Sequence, residues 1–181
     1  MPGPIMLDGA TLTPDAVAKI AREGAAVELS QEARARNDAA REAADAVLAR
    51  GDELYGVTTG VGPLRGYRLD EDARVNHQLR LLRSHACGAG RPLRAERVRA
   101  AMATRANQLG AGGAGIAPEL LDALVAALNT DFLPFTRELG SLGTGDLTTL
   151  SDIALCLLGE GRVWLGDELA DASDALRSAG I

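Results

Sequence analysis

Gly140–Gly161 reads GSLGTGDLTTLSDIALCLLGEG, and this stretch decides how the chain is understood. Its first part, Gly140 to Leu147, is laced with glycine and carries two hydroxyl residues and one acid, without helical period. A strongly apolar helical run comes next, and Gly159 ends it. Asp146 stands where this helix begins, and an acid there suits the positive helix end by roughly 0.3–1 kcal/mol. That is a complete structural account of Asp146. The same helix end would also hold an anion such as a carboxylate or an enolate. Thr144 and Thr149 supply hydroxyls beside it. The run is apolar enough to need more helical neighbours than a chain of this length supplies, so it points to a mainly α fold with partners.

Composition agrees. The chain has 181 residues, enough for one domain, with 46% hydrophobic residues and only 3% aromatics. A core of alanine and leucine favours close-packed helices over a β-sandwich. The formal net charge of −6 argues against nucleic acid or an anionic membrane as partner. Arginine-rich stretches such as RPLRAERVRA alternate with apolar positions and read as solvated helix faces. Cys87 and Cys156 lack metal-ligand spacing and read as two buried thiols in a reducing compartment, so no metal site is expected. No signal-like N-terminus and no bilayer-long apolar run stands out, which gives a soluble, cytoplasmic protein as the expectation.

Working outward, LTPDAVAKIAREG reads as a helix with Thr13 as N-cap, Pro14 in the first turn and Gly24 past its end. AAVELS reads as a short strand, the small β element near the N-terminus, and Ser30 caps a second helix stopped by Gly51. Tyr55–Leu64, YGVTTGVGPL, is an unusually apolar loop, and a loop of this kind is expected to be buried with its backbone groups partnered. Helical patterning resumes near Asp70, again through RAERVRAAMATRANQLG to Gly110, and again from Pro118. FLPFTRELGSLGTGDL reads as irregular, and the tail as a small hairpin around Gly166 followed by a helix. No domain boundary shows, so residues 1–181 read as a single domain.

Four of these segments, YGVTTGVGPL, SHACGAG, LLDALVAALNTDFLPF and GSLGTGDLTTLSDIAL, together resemble the N-terminal half of the histidine and aromatic amino acid ammonia-lyases. The resemblance runs over nearly the whole chain in the family's order and spacing. GAGGAG, by contrast, lacks the preceding strand that a dinucleotide site requires. The resemblance implies an ammonia-lyase-like helical fold. It also implies an electrophile, a methylidene-imidazolone built from an Ala-Ser-Gly triplet inside a segment like GSxGASGDL. Here that segment is one residue short. Anchored on the upstream GSLG, Thr144 takes the alanine place and the serine is absent. Anchored on the downstream GDL, Gly143-Thr144-Gly145 becomes the equivalent triplet, and dehydration of Thr144 would leave a hindered ethylidene. Both alignments point to a chain without the ordinary electrophile and hence without ordinary ammonia elimination.

The resemblance further implies that Tyr55 is the catalytic tyrosine of the family's YGxxTGFG segment. A base role for a phenol needs neighbouring dipoles or cations to ease its ionisation. Val61 replaces the family phenylalanine in the same loop and, with Gly62, is expected to wall the substrate pocket. His85 in SHACGAG matches a position that contacts the far end of the substrate side chain, which implies a ligand with a polar tail. Thr144 is expected to act as a hydroxyl donor, and Asp146 to lie beside bound substrate. The chain stops before the family's long central helices, so a partner chain carrying the other half is expected, giving a split hetero-oligomer. Three readings remain open: an electrophile-free lyase or isomerase, an ammonia-lyase or aminomutase with a threonine-derived electrophile, and a silent scaffold subunit.

Overall fold

The computed structural model describes residues 3–140 and 147–181, with the backbone alone for Val75. Its elements are set first by local chemistry. Helix α1 (Pro14–Glu23) begins where Thr13 Oγ1 accepts the Ala16 N–H at 3.2 Å, and it ends at Gly24, which takes φ +66°. Strand β1 (Ile5–Leu7) precedes it, and β2 (Val27–Leu29) follows and pairs with β1 in parallel, Leu7 opposite Leu29. Ser30 Oγ accepts the Ala33 N–H and starts α2 (Gln31–Ala49). Asp70 caps α3 (Glu71–His85) through the Ala73 N–H at 2.7 Å.

Three further helices build the body: α4 (Ala95–Gly110), α5 (Pro118–Leu128) and α6 (Leu147–Leu157). Helix α4 is central. Its Val98, Met102, Ala106 and Leu109 are buried against Ile20 of α1, Leu121 and Leu128 of α5, and Leu7 and Leu29 of the small sheet. Close approach matters here: a Cβ on Gly110 would lie 3.1 Å from that of Ala33, so α2 rests directly on the end of α4.

The fold is mainly α, and the small β element near the N-terminus is present as β1 and β2. The predicted hairpin is β6 (Arg162–Leu165) and β7 (Glu168–Asp171), turning at Gly166 with φ +62°, and α7 (Ala172–Ala179) follows it. Three expectations are corrected. The stretch read as irregular contains β4 (Leu133–Pro134), an edge strand on β6, and β5 (Arg137–Leu139). Strand β5 pairs with β3 (Ala89–Pro92), a ribbon exposed on both faces that therefore carries no alternation of apolar residues to betray it.

The arginine stretch is not wholly a solvated face either. Arg99, on α4, turns inward and donates to the Ile20 carbonyl at 3.1 Å and the Leu128 carbonyl at 2.9 Å, tying the ends of α1 and α5 together. Both cysteines are free, but only Cys156 is buried; Cys87 is exposed because the turn after α3 carries it outward.

Candidate active site

Two threonine hydroxyls organise the Tyr55 loop. Thr58 Oγ1 accepts the Leu54 N–H at 2.8 Å, and Thr59 Oγ1 accepts the Gly56 N–H at 3.2 Å. The loop then doubles back: the Leu69 N–H reaches the Thr58 carbonyl, and the Gly60 N–H reaches that of Tyr67. Gly60 cannot be larger, since a Cβ would lie 2.5 Å from the Leu64 carbonyl oxygen. Gln78 of α3 donates its side-chain amide to the Gly56 carbonyl and fastens the loop to that helix.

The expectation of a buried apolar loop is corrected. Thr58, Thr59 and Gly60 are buried, whereas Tyr55 is 64% exposed and Leu64 58%. The hydroxyl and backbone network is what goes inside, and the large side chains have little cover among the described residues. Val61 is half-buried and Gly62 exposed. The Tyr55 phenol is nonetheless held in place, because its oxygen accepts the Gly62 N–H at 2.9 Å. A backbone donor at that oxygen fixes the ring and is suited to hold negative charge there.

His85 closes α3. Its Nδ1 lies 2.8 Å from the Leu81 carbonyl, which only accepts, so Nδ1 carries the proton and Nε2 of the neutral ring is left as an acceptor. Two residues earlier Arg83 forks onto Glu160, which raises the hold of the guanidinium on its proton and lowers that of the carboxylate. This pair pins the end of α3 to the turn after α6.

The start of α6 is fixed by Thr148, whose hydroxyl donates to the Gly140 carbonyl at 3.1 Å. Gly140 and Gly88 both lie flush against it: a Cβ on Gly140 would stand 2.7 Å from Thr148 Cγ2, and one on Gly88 would stand 3.3 Å from the same atom. The SHACGAG turn, the end of β5 and the first turn of α6 therefore converge on Thr148. Gly143, Thr144, Gly145 and Asp146, expected to form the electrophile-equivalent segment and its acid, lie outside the described residues. Helix α3 serves both halves of the site, holding the Tyr55 loop at Gln78 and ending at His85.

Sequence reasoning missed Asp152. It stands one turn beyond Thr148, half-buried, with Arg137 of β5 nearby. Burial pushes its carboxyl up to about 6, against the opposing charge of Arg137. Arg137 itself lies 5.1 Å over the Phe135 ring and donates to the Gly90 carbonyl. Cys156, one turn further, is pushed up to about 12 by burial and then by the charge of Asp152. The available signal was a lone carboxylate inside an apolar helix run. Among the described residues no cluster of acidic, histidine or cysteine side chains could hold a metal ion, and no helix is long and apolar enough to cross a membrane.

Comparison with known proteins supports the same class. Histidine ammonia-lyase of Treponema denticola is 37% identical over 179 residues, 98% of this chain and 35% of that enzyme. The crystal structure of tyrosine aminomutase from Streptomyces globisporus superposes with a TM-score of 0.93 at 35% identity, over 99% of this chain and 34% of that one. The ergothioneine-degrading enzyme ergothionase from Treponema denticola, solved with desmethyl-ergothioneine sulfonic acid, gives 0.94 at 32% identity, over 99% of this chain and 36% of that one. The fold is thus that of ammonia-lyases and aminomutases. Residues 12–181 match the family model for aromatic amino acid lyases, and the chain belongs to that family. It spans about a third of the length of these relatives.

Proposed function

We propose that the chain is one subunit of a two-chain, ammonia-lyase-like enzyme that works without the ordinary methylidene-imidazolone. It would catalyse elimination, dehydration or isomerisation on a small carboxylate or amino-acid-derived substrate in the cytoplasm. One observation carries this reading: a member of the family has no Ala-Ser-Gly triplet between Gly140 and Leu147. The residues present do not fit the group. Ser141–Asp146 contains no alanine, and its one serine is followed by leucine rather than glycine.

The chemistry left to these residues is acid–base and electrostatic. Tyr55, oriented by the Gly62 N–H, takes a proton from the carbon next to the substrate's acidifying group. The start of α6 holds the negative charge that develops. Loss of water β to that carbon needs no electrophilic alkene. His85, with Nε2 as an acceptor, receives a donor on the substrate's far end. On this reading the remaining binding groups come from the second chain; these residues span about a third of the length of the relatives they match. An exposed free thiol at Cys87 suits a reducing compartment.

Intact-protein mass tests the electrophile directly. The unmodified mass is expected, and a deficit of two waters would replace this reading by one with a threonine-derived electrophile. Tyr55→Phe in the assembled enzyme is expected to lower turnover by about 10²–10⁴-fold. Undiminished turnover would leave this chain a scaffold.

A further inference from the structure

Four helices leave an apolar groove of about 590 Å³ between them. One wall is α6 and the residue that follows it, with Leu147, Leu150, Ala154, Leu157 and Leu158 at the spacing of a single helical stripe. Leu147 and Leu158, at its two ends, are 55% and 51% exposed. The stripe is about 16 Å long at 1.5 Å per residue, three helical turns. Leu82 of α3, Leu109 of α4 and Leu120 of α5 stand across from it. Among the described residues its long polar side chains are Gln78, whose amide is committed to the Gly56 carbonyl, and Arg105. Arg105 has no carboxylate partner among the described residues.

We infer that this groove is the docking site for one amphipathic helix of a second polypeptide, which carries the complementary part of the family fold and places a carboxylate against Arg105. The inference rests on the two-chain reading above and adds where, and through what chemistry, the chains join. Three observations select this occupant. Solved relatives superpose on 99% of the chain while extending to roughly three times its length, so most of the family fold has no counterpart in these residues. The groove has the length and stripe of a helix-in-groove interface. A second copy of the chain is disfavoured, because each copy brings a net charge of −6.

Location gives the interface a functional consequence. Gln78 lines the groove and also holds the Tyr55 loop, while Leu147 lines it where α6 begins. A helix seated there lies against the residue that fastens the Tyr55 loop and against the start of α6.

The test is purification of the tagged chain from its native host, with co-purifying chains identified by mass and sequence. The wild type is expected to bring down a polypeptide matching the complementary part of the family. Leu158→Glu and Arg105→Glu should each reduce that capture at least tenfold, and Leu165→Glu, an equal change at an exposed position off the groove, should not. Circular dichroism controls for folding. Hydrogen exchange on the unmutated complex gives an independent reading, with slowed exchange expected along α6 relative to the chain alone. Full capture by both groove variants, or unchanged exchange along α6, would overturn the groove and leave the two-chain reading standing. Recovery of a homo-oligomer, of a single longer chain, or of no complementary polypeptide would overturn both.

Discussion

Asp152→Asn is expected to stabilise the protein at neutral pH, against the intuition that removing a charge beside an arginine costs stability. The carboxyl is half-buried on an apolar helix, and burial outweighs the pull of Arg137, lifting it from 3.8 to about 6. The folded state therefore holds the proton more tightly than the unfolded chain. Stability from this group is complete below the ordinary carboxylate range and is lost as pH rises through about 6. For a fully buried group the displacement would amount to about 3 kcal/mol. Asp152 is half in solvent, and screening reduces this to about 1 kcal/mol.

Asparagine keeps the shape and removes the ionisation. Urea denaturation followed by circular dichroism should give a variant more stable by about 1 kcal/mol at neutral pH, with a melting temperature about 2–4 °C higher. Only at about pH 2.5 should the two proteins coincide, because the carboxyl is then neutral in the folded and the unfolded state alike. Cys156 faces the same charge from one turn away and should be easier to ionise in the variant, since Asp152 is the second cause of its raised value. Iodoacetamide labelling of Cys156 at alkaline pH should accordingly be faster. A variant less stable than wild type at neutral pH would refute the reasoning: the Arg137 attraction would then exceed the burial cost.

Two individual contacts lead to packing predictions. Gly140→Ala sets a Cβ 2.7 Å from Thr148 Cγ2, so it should cost about 1–3 kcal/mol, and Thr148→Ser, which removes that methyl, should recover part of the loss in the double variant; a purely additive double would contradict the contact. Asn129 accepts the Val27 N–H and donates to the Val27 carbonyl, both at 2.9 Å, so Asn129→Ala strands two polar groups of a buried strand and should cost about 2–3 kcal/mol in denaturant unfolding.

What could be read from the sequence was whatever local chemistry decides. Thr13 and Ser30 announce their helices because a hydroxyl before an apolar period satisfies an orphan N–H wherever the rest of the chain goes, and Gly24 ends one because few other residues take its φ of +66°. The Tyr55 loop was found by its glycines and threonines, but its burial was misjudged. Apolar composition predicts that a surface will be covered without telling which molecule covers it, and Tyr55 and Leu64 have little cover among these residues. Arg99 and Asn129 escaped because their partners are backbone carbonyls and amides far along the chain, which no side-chain pattern encodes.

The site shows the same division. His85 and Tyr55 stood out through motifs, each anchored within its own neighbourhood by Leu81 and Gly62. Asp152 did not, because burial on α6 is what raises its carboxyl and the opposing Arg137 sits on a ribbon whose pairing the sequence does not display. Helix α3 links the two candidate halves: the same rigid element holds the phenol loop through Gln78 and ends in the imidazole, so their separation is set by helix geometry. The groove along α6 opens against that same helix. Any helix that seats there is positioned by α3 as well, so on the proposed two-chain reading the joining of the chains and the completion of the candidate pocket would be one event.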